Sequence, residues 1–201
     1  LAPQIYWRIN APAQGYEKLL GWWAAENIQH RGLWPGNYTS RVRSDPTAAT
    51  SGSVWEADEI LRQVAATRGA AGAGGNIHFS MKALSEDFDG VATKLAAGPY
   101  AEPALVPAIR MPVGDPPPAP RALADARGVA FSLPDGQQPW LWIVRTRTGD
   151  EWRAIRLPGR AERYDIDGPV REIAIAAVAR DGRDGPATRL APAARPVPTA
   201  D

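Results

Sequence analysis

The chain has 201 residues, long enough for one or two domains, and 23 Lys+Arg against 22 Asp+Glu leave a formal charge of +1. Up to residue 120 there are 10 basic and 11 acidic residues, and after it 13 and 11, so neither half is the strongly basic surface that nucleic-acid binding needs. The absence of Cys excludes a disulfide framework, a thiolate metal site and a Cys nucleophile; the two His, His30 and His78, lie far apart, and no apolar run approaches the roughly 20 residues of a membrane helix.

In chain order, Gln4 to Trp7 reads as a β-prone first strand suited to a core. A chain that opens inside a core strand implies sheet neighbours encoded upstream of Leu1. Gly15 to Gln29 reads as a helix with Tyr16, Leu19, Leu20, Trp23 and Ile28 on one stripe, and His30 at its end can meet the negative pole of the dipole. Gly32 to Gly36 reads as a second strand closed by Pro35, followed by a polar loop from Asn37 to about Ser53 with a turn at Asp45-Pro46. Val54 to Thr67 is the next helix, Gly69 to Gly75 a Gly/Ala loop, Asn76 to Ser80 a third strand and Val91 to Ala97 a short helix. Residues 100–109 read as extended and Pro-broken. This strand–helix repetition argues for βαβ units and a parallel sheet.

Beyond this point the pattern changes. The Pro-rich stretch over 112–120 reads as a stiff linker. After it come short strand candidates at Gly128–Leu133, Trp140–Thr148, Trp152–Leu157, Tyr164–Ile166, Glu172–Arg180 and Ala187–Leu190, separated by turns such as Pro134-Asp135-Gly136 and Thr148-Gly149-Asp150. That density of strands fits a small β-sandwich. Trp140 and Trp142 share a face at two-residue spacing, which suits either a sugar-binding patch or a core with Phe131 as partner. The fold class is therefore α/β plus all-β: residues 1–111, a linker over 112–120, a sandwich over 121–190 and a tail over 191–201, rich in Ala and Pro, expected to be disordered.

Several strings in the first half resemble the C-terminal part of the glycosyl hydrolase-like 10 family, in the family's order. They are Ala2-Pro3-Gln4-Ile5-Tyr6-Trp7, Leu19-Leu20-Gly21-Trp22-Trp23, Leu33-Trp34-Pro35-Gly36-Asn37-Tyr38, Trp55 through Glu59-Ile60 and Gln63, Gly75 to Phe79-Ser80, and Ala104-Leu105-Val106-Pro107. The second half is similar to a fibronectin-type-III-like sandwich, through Trp140–Arg145 and Ala177–Pro186. The resemblance implies the last three or so βα units of a (β/α)8 barrel acting on a polysaccharide or oligosaccharide, in a bacterial protein exported from the cytoplasm. Three parallel strands cannot close a barrel, so the resemblance also implies that an N-terminal barrel half is required for closure.

Glycoside hydrolysis needs two carboxyl groups about 5–5.5 Å apart for retention or roughly 6.5–9.5 Å for inversion, carried in a barrel at the C-terminal ends of strands. The strand ends at Trp7, Gly36 and Ser80 carry no Asp or Glu. Asp45, in the loop after the second strand, is the weak catalytic candidate, against a plain turn cap before Pro46. Glu59 matches the family pattern and reads as a helix-packing or surface-pair residue. The catalytic acids are accordingly expected upstream of Leu1. As substrate-binding residues the sequence offers Gln4 and Tyr6 on one strand face, Trp7 and Tyr38 as stacking platforms, and His78 with Ser80 on the third strand. Tyr6 and Trp7 equally suit a core layer, and His78 equally a hydrogen-bonded core histidine. No cofactor motif or metal spacing appears: Gly72-Ala73-Gly74-Gly75 precedes a strand and lacks the Lys-Ser/Thr of a phosphate loop. The leading reading is a C-terminal portion of a glycoside hydrolase. The alternative is a noncatalytic carbohydrate-binding or domain-packing module.

Overall fold

A computed structural model describes residues 1–108 and 114–192. The chain divides into two units, Leu1–Ala101 and the residues from Glu102 onward. Residue 109 of the expected extended segment, the 111–113 junction of domain and linker, and residues 193–201 of the expected tail lie outside the described residues. Among the described residues no helix is long and apolar enough to cross a membrane.

The first unit is built on three short parallel segments. The carbonyls of Leu1 and Pro3 accept from Trp34 N–H and Gly36 N–H, both at 2.8 Å, and Gln4 bridges Gly36 in parallel. Gly36–Asn37 (β1) then pairs in parallel with Ile77–His78 (β2), Gly36 opposite Ile77 and Asn37 opposite His78. Pro3 and Pro35 have no N–H to give, which keeps these ladders shorter than the expected strands. Pairing in the first segment covers residues 1–4, so Tyr6 and Trp7 project beyond it.

Helix α1, Tyr16–Glu26, links the first two segments and buries Tyr16 and Leu20 with Ile5 and Leu33. It stops three residues before the expected Gln29. Asn27 closes it, the side chain accepting from Arg31 N–H (2.9 Å) and donating to Arg31 O (2.6 Å). His30, with φ 47°, therefore lies beyond the helix and not on its last turn. Helix α2, Ala57–Gly69, links β1 to β2. It begins after the expected Val54 because Trp55 is held extended, exchanging backbone hydrogen bonds with Arg41 O (2.8 Å) and Arg43 N–H (3.0 Å). Glu56 at its N-cap gives no side-chain cap; instead Asp89 Oδ2 accepts from Ala57 N–H at 2.8 Å. Ile60 and Val64 pack with Val42, Trp55, Val91 and Leu95. A five-residue helix unmarked in the sequence, α3 (Met81–Ser85), precedes α4, Val91–Ala97, whose bounds match the expectation. Asp87 caps α4 through Ala92 N–H (2.7 Å) and Thr93 N–H (3.1 Å).

The second unit consists of two antiparallel sheets. Arg121–Ala124 (β3), Gly128–Ser132 (β4) and Arg163–Asp165 (β7) form one; Leu141–Thr148 (β5), Glu151–Pro158 (β6), Glu172–Val178 (β8) and Thr188–Leu190 (β9) form the other, in the order β6-β5-β8-β9. One core lies between them: Val129 and Phe131 from the first, Trp142, Val144, Ile173 and Ile175 from the second. Trp142 is 2% exposed, packs 4.9 Å from Phe131, and donates its Nε1–H to Gly159 O at 3.1 Å. Trp140 precedes β5, half-exposed beneath the Arg180 guanidinium at 4.5 Å. The two tryptophans thus do not form a pair. β3 escaped sequence reading because a four-residue strand with two Ala carries little β-propensity.

Candidate functional site

Parallel pairing sets side chains of the three segments in rows. Gln4, Gly36 and Ile77 share one row, so Tyr6, Tyr38 and Phe79 come together two residues further on, past the C-terminal ends of the segments. The ring centroids are 4.6 Å apart for Tyr6–Tyr38 and 5.9 Å for both Tyr6–Phe79 and Tyr38–Phe79. Glycine at position 36 leaves room for this: a Cβ there would sit 3.3 Å from Tyr6 Cε1. Trp55 meets Tyr38 edge-on at 6.4 Å, and the Arg41 guanidinium lies 4.8 Å over the Tyr38 ring. Phe79 is 51% exposed and Ile77 48%. The exposed Gln4 amide has no hydrogen-bond partner among the described residues.

The opposite face is a closed polar network. Glu59, Gln63 and Thr67 lie at four-residue spacing on α2, one stripe of the helix, and all are buried. Glu59 Oε1 accepts from Ile9 N–H (2.8 Å) and Gln63 Nε2 (3.0 Å), and Oε2 from Arg62 (2.8 Å). Gln63 Nε2 also donates to Trp7 O (3.1 Å), Asn37 Nδ2 to Gln63 Oε1 (2.9 Å), and Asn76 Nδ2 to Asn37 Oδ1 (2.8 Å). The Tyr16 hydroxyl lies 2.9 Å from Thr67 Oγ1. Each polar group is costly to bury alone, and here each finds a partner. Burial raises the Tyr16 phenol above its ordinary value. Burial also pushes Glu59 upward, but Ile9 N–H, Arg62 and Gln63 outweigh it and hold the carboxyl below 4.5.

The expected binding residues separate accordingly. Gln4, Tyr6 and Tyr38 share the aromatic face. Trp7, 41% exposed, stands outside the ring cluster. His78 pairs in register with Asn37, on the face away from Gln4 and Tyr6. Its Nδ1 lies 2.9 Å from Thr39 Oγ1 and its Nε2 2.9 Å from the Tyr100 hydroxyl, and burial lowers its pKa. Ser80 follows Phe79 and accepts from Ser40 Oγ at 3.1 Å. Phe79 and the buried network escaped the sequence reading, although the alternation Ile77–Phe79 and the stripe Glu59–Gln63–Thr67 were there to be read.

The loop acids are engaged elsewhere. Asp45 is exposed and accepts from Thr47 Oγ1 (2.7 Å) and Thr47 N–H (2.8 Å), bonds that lower its pKa. Asp87 is likewise lowered by Thr93. Burial raises Asp89, but Ala57 N–H and Arg43 (3.1 Å) bring it below its ordinary value. Carboxyls held ionised in this way are poor proton donors, and general acid catalysis requires the opposite shift. Asp45 thus has the geometry of a turn cap.

No family model matches the chain. Over 109 residues it is 32% identical to the glycosyl hydrolase YngK of Bacillus subtilis (strain 168), an alignment spanning 53% of this chain and 20% of that protein. Part of the chain is related to a glycosyl hydrolase. The chain spans about a fifth of the length of that relative. Among solved structures, the glycoside hydrolase domain of Spr0440, Endo-D, from Streptococcus pneumoniae R6 aligns at 17% identity and a TM-score of 0.23, over 39% of this chain and 15% of that one. That overlap is too small to define a shared fold.

Proposed function

We propose that this chain is a C-terminal portion of a bacterial, exported glycoside hydrolase: the last three βα units of a (β/α)8 barrel, followed by a fibronectin-type-III-like sandwich. In this reading residues 1–101 supply part of the wall of a sugar cleft, and the catalytic acids are carried by the rest of the enzyme. The carrying observation is the Tyr6–Tyr38–Phe79 cluster with the unpartnered Gln4 amide, gathered at the C-terminal ends of parallel segments, where barrel enzymes hold substrate. The kinship with a protein named glycosyl hydrolase supports it. A pyranose presents a C–H-rich face to an aromatic ring, while an amide fixes its hydroxyls.

The half-exposed apolar side chains of Ile77 and Phe79 favour a second reading in part, a domain-packing face. Titration of the 201-residue chain with a panel of neutral oligosaccharides, followed by Trp fluorescence, separates the two. The cleft reading expects binding that falls about tenfold in Tyr38→Ala, the loss of one ring contact plus its buried area. It also expects no hydrolysis. Absence of binding across the panel by a folded chain supports the packing reading, and hydrolysis by residues 1–201 alone refutes the placement of the acids elsewhere.

A further inference from the structure

The second unit carries a charge arrangement that its own packing does not explain. In the four-stranded sheet Trp142, Val144, Ile173 and Ile175 point into the core, so the alternate residues form the outer face. There Arg147 on β5 pairs in register with Trp152 on β6 and with Glu172 on β8. Glu172 is shared by two arginines, Arg147 (3.0 Å) and Arg189 of β9 (2.9 Å). Both guanidiniums also approach the Trp152 ring, at 5.6 and 5.7 Å, and that ring remains 38% exposed. One step along β5, Arg145 stands between Ala154 and Ala174, side chains too short to reach it. Arg145 is half-buried and has no hydrogen-bond or ion-pair partner among the described residues. Arg156, diagonal to it, donates to Ala104 O at 2.7 Å and is not neutralised by that contact.

Four guanidiniums thus face one carboxylate. With strands about 4.8 Å apart and same-face residues about 6.8 Å apart, Arg147, Arg156 and Arg189 each lie within roughly one Debye length, about 10 Å, of Arg145, which is therefore repelled from three sides. A fold has no structural use for that repulsion, and an anion on the face removes it. A guanidinium takes a carboxylate in a two-pronged hydrogen bond, and the Trp152 ring offers apolar area alongside.

We infer that the outer face of the β6-β5-β8-β9 sheet binds an acidic polysaccharide, with Arg145 taking a sugar carboxylate and Trp152 the adjoining sugar ring. The face itself is independent of the first unit; the choice of a glycan among polyanions rests on the glycoside-hydrolase reading above. On this face Ala174, Ile143, Ala176 and Val178 are buried, so the accessible part is the end that carries Arg147, Trp152 and Arg189 beside the half-buried Arg145.

The test uses the full chain in affinity electrophoresis against three probes: polygalacturonate, fully methyl-esterified polygalacturonate, and single-stranded poly(dT). Retardation by polygalacturonate is expected, weakening as salt rises, with none by the ester. Arg145→Ala is expected to lose about tenfold or more in affinity, the worth of a hydrogen bond to a charged group. Arg145→Lys keeps the charge without the fork and is expected to recover part of the loss. Trp152→Ala is expected to weaken binding, and Arg160→Ala, an exposed arginine outside this face, to leave it unchanged. Cooperative thermal unfolding checks that each variant is folded, and the salt dependence of the unaltered chain tests the proposal even if a variant fails that check. The proposal is overturned by no retardation, by equal retardation with the ester, by unaltered binding in Arg145→Ala, or by poly(dT) binding as tightly as the glycan. Arg145→Ala is also expected to leave the neutral-oligosaccharide titration of the first unit untouched, so failure here and failure of the cleft reading are separate results.

Discussion

Replacing Glu59 tests whether the polar stripe of α2 holds the first unit together through acceptor geometry or through charge. The residue is 1% exposed, and its two oxygens serve Ile9 N–H, Gln63 Nε2 and Arg62, with Arg8 Nε at 3.7 Å. Glu59→Ala leaves Ile9 N–H without an acceptor and Gln63 with only half of its donor bonds. Hydrogen bonds to a charged group are worth about 1.5–3 kcal/mol, and breaking a buried pair costs about 3–5 kcal/mol. Arg62 and Arg8 reach solvent and can rehydrate, which places Glu59→Ala near the low end, about 3 kcal/mol. Glu59→Gln keeps one oxygen for Ile9 and Gln63 and gives up the ion pairs to Arg62 and Arg8, whose guanidiniums reach solvent, a loss of about 1 kcal/mol. Thermal unfolding is expected to shift by about 4–8 °C for each kcal/mol in a unit of this size. Hydrogen exchange at the Ile9 amide localises the effect: fast in the Ala variant, protected in the Gln variant. Because Glu59 is held below its ordinary 4.5 in the folded chain, its charge stabilises above that value, and the contribution is lost as pH falls through the folded pKa. The gap between the native chain and Glu59→Gln is therefore expected in full at pH 7, should begin to narrow as pH falls below the ordinary 4.5, and should close only below the folded pKa. Equal losses for Gln and Ala, or a gap that persists into acid, would refute the reasoning.

Asp89→Ala removes the acceptor for Ala57 N–H at the start of α2 and the partner of Arg43, and is expected to cost about 2 kcal/mol by urea titration at pH 7. Its pKa is also lowered in the folded chain, so the difference should shrink as the solution is taken below 3.8. Trp142→Phe keeps most of the apolar bulk in the sheet-to-sheet core but leaves Gly159 O without its indole donor; a loss of about 1–3 kcal/mol is expected in the second unit, read by chemical denaturation.

The local elements were legible because their causes are local. Val91–Ala97 was bounded correctly from apolar spacing alone, and alternation between turn residues located six strands of the second half to within one or two residues at each end, though not β3. The ends that slipped did so where a distant group intervened. Asn27 closes α1 on Arg31, Trp55 is held extended by Arg41 and Arg43, and Asp89 caps α2 from 32 residues away. Asp45 was readable as a turn cap, because its partner Thr47 is two residues on. The sequence left His78 open between a cleft residue and a hydrogen-bonded histidine, because its face is set by the β1–β2 register.

By itself the sequence determined the order of strand and helix apart from α3 and β3, the change of pattern near the Pro-rich stretch, and the stock of aromatic and polar side chains from which a sugar-facing surface can be made. Those properties follow from periodicity and backbone chemistry within a few residues. Which aromatics meet, which arginines lack a counter-charge among the described residues and which carboxylate is buried were decided only by the tertiary structure. Pairing register fixes them: a shift of one residue turns every side chain of a strand to the other face, and no local signal specifies that choice.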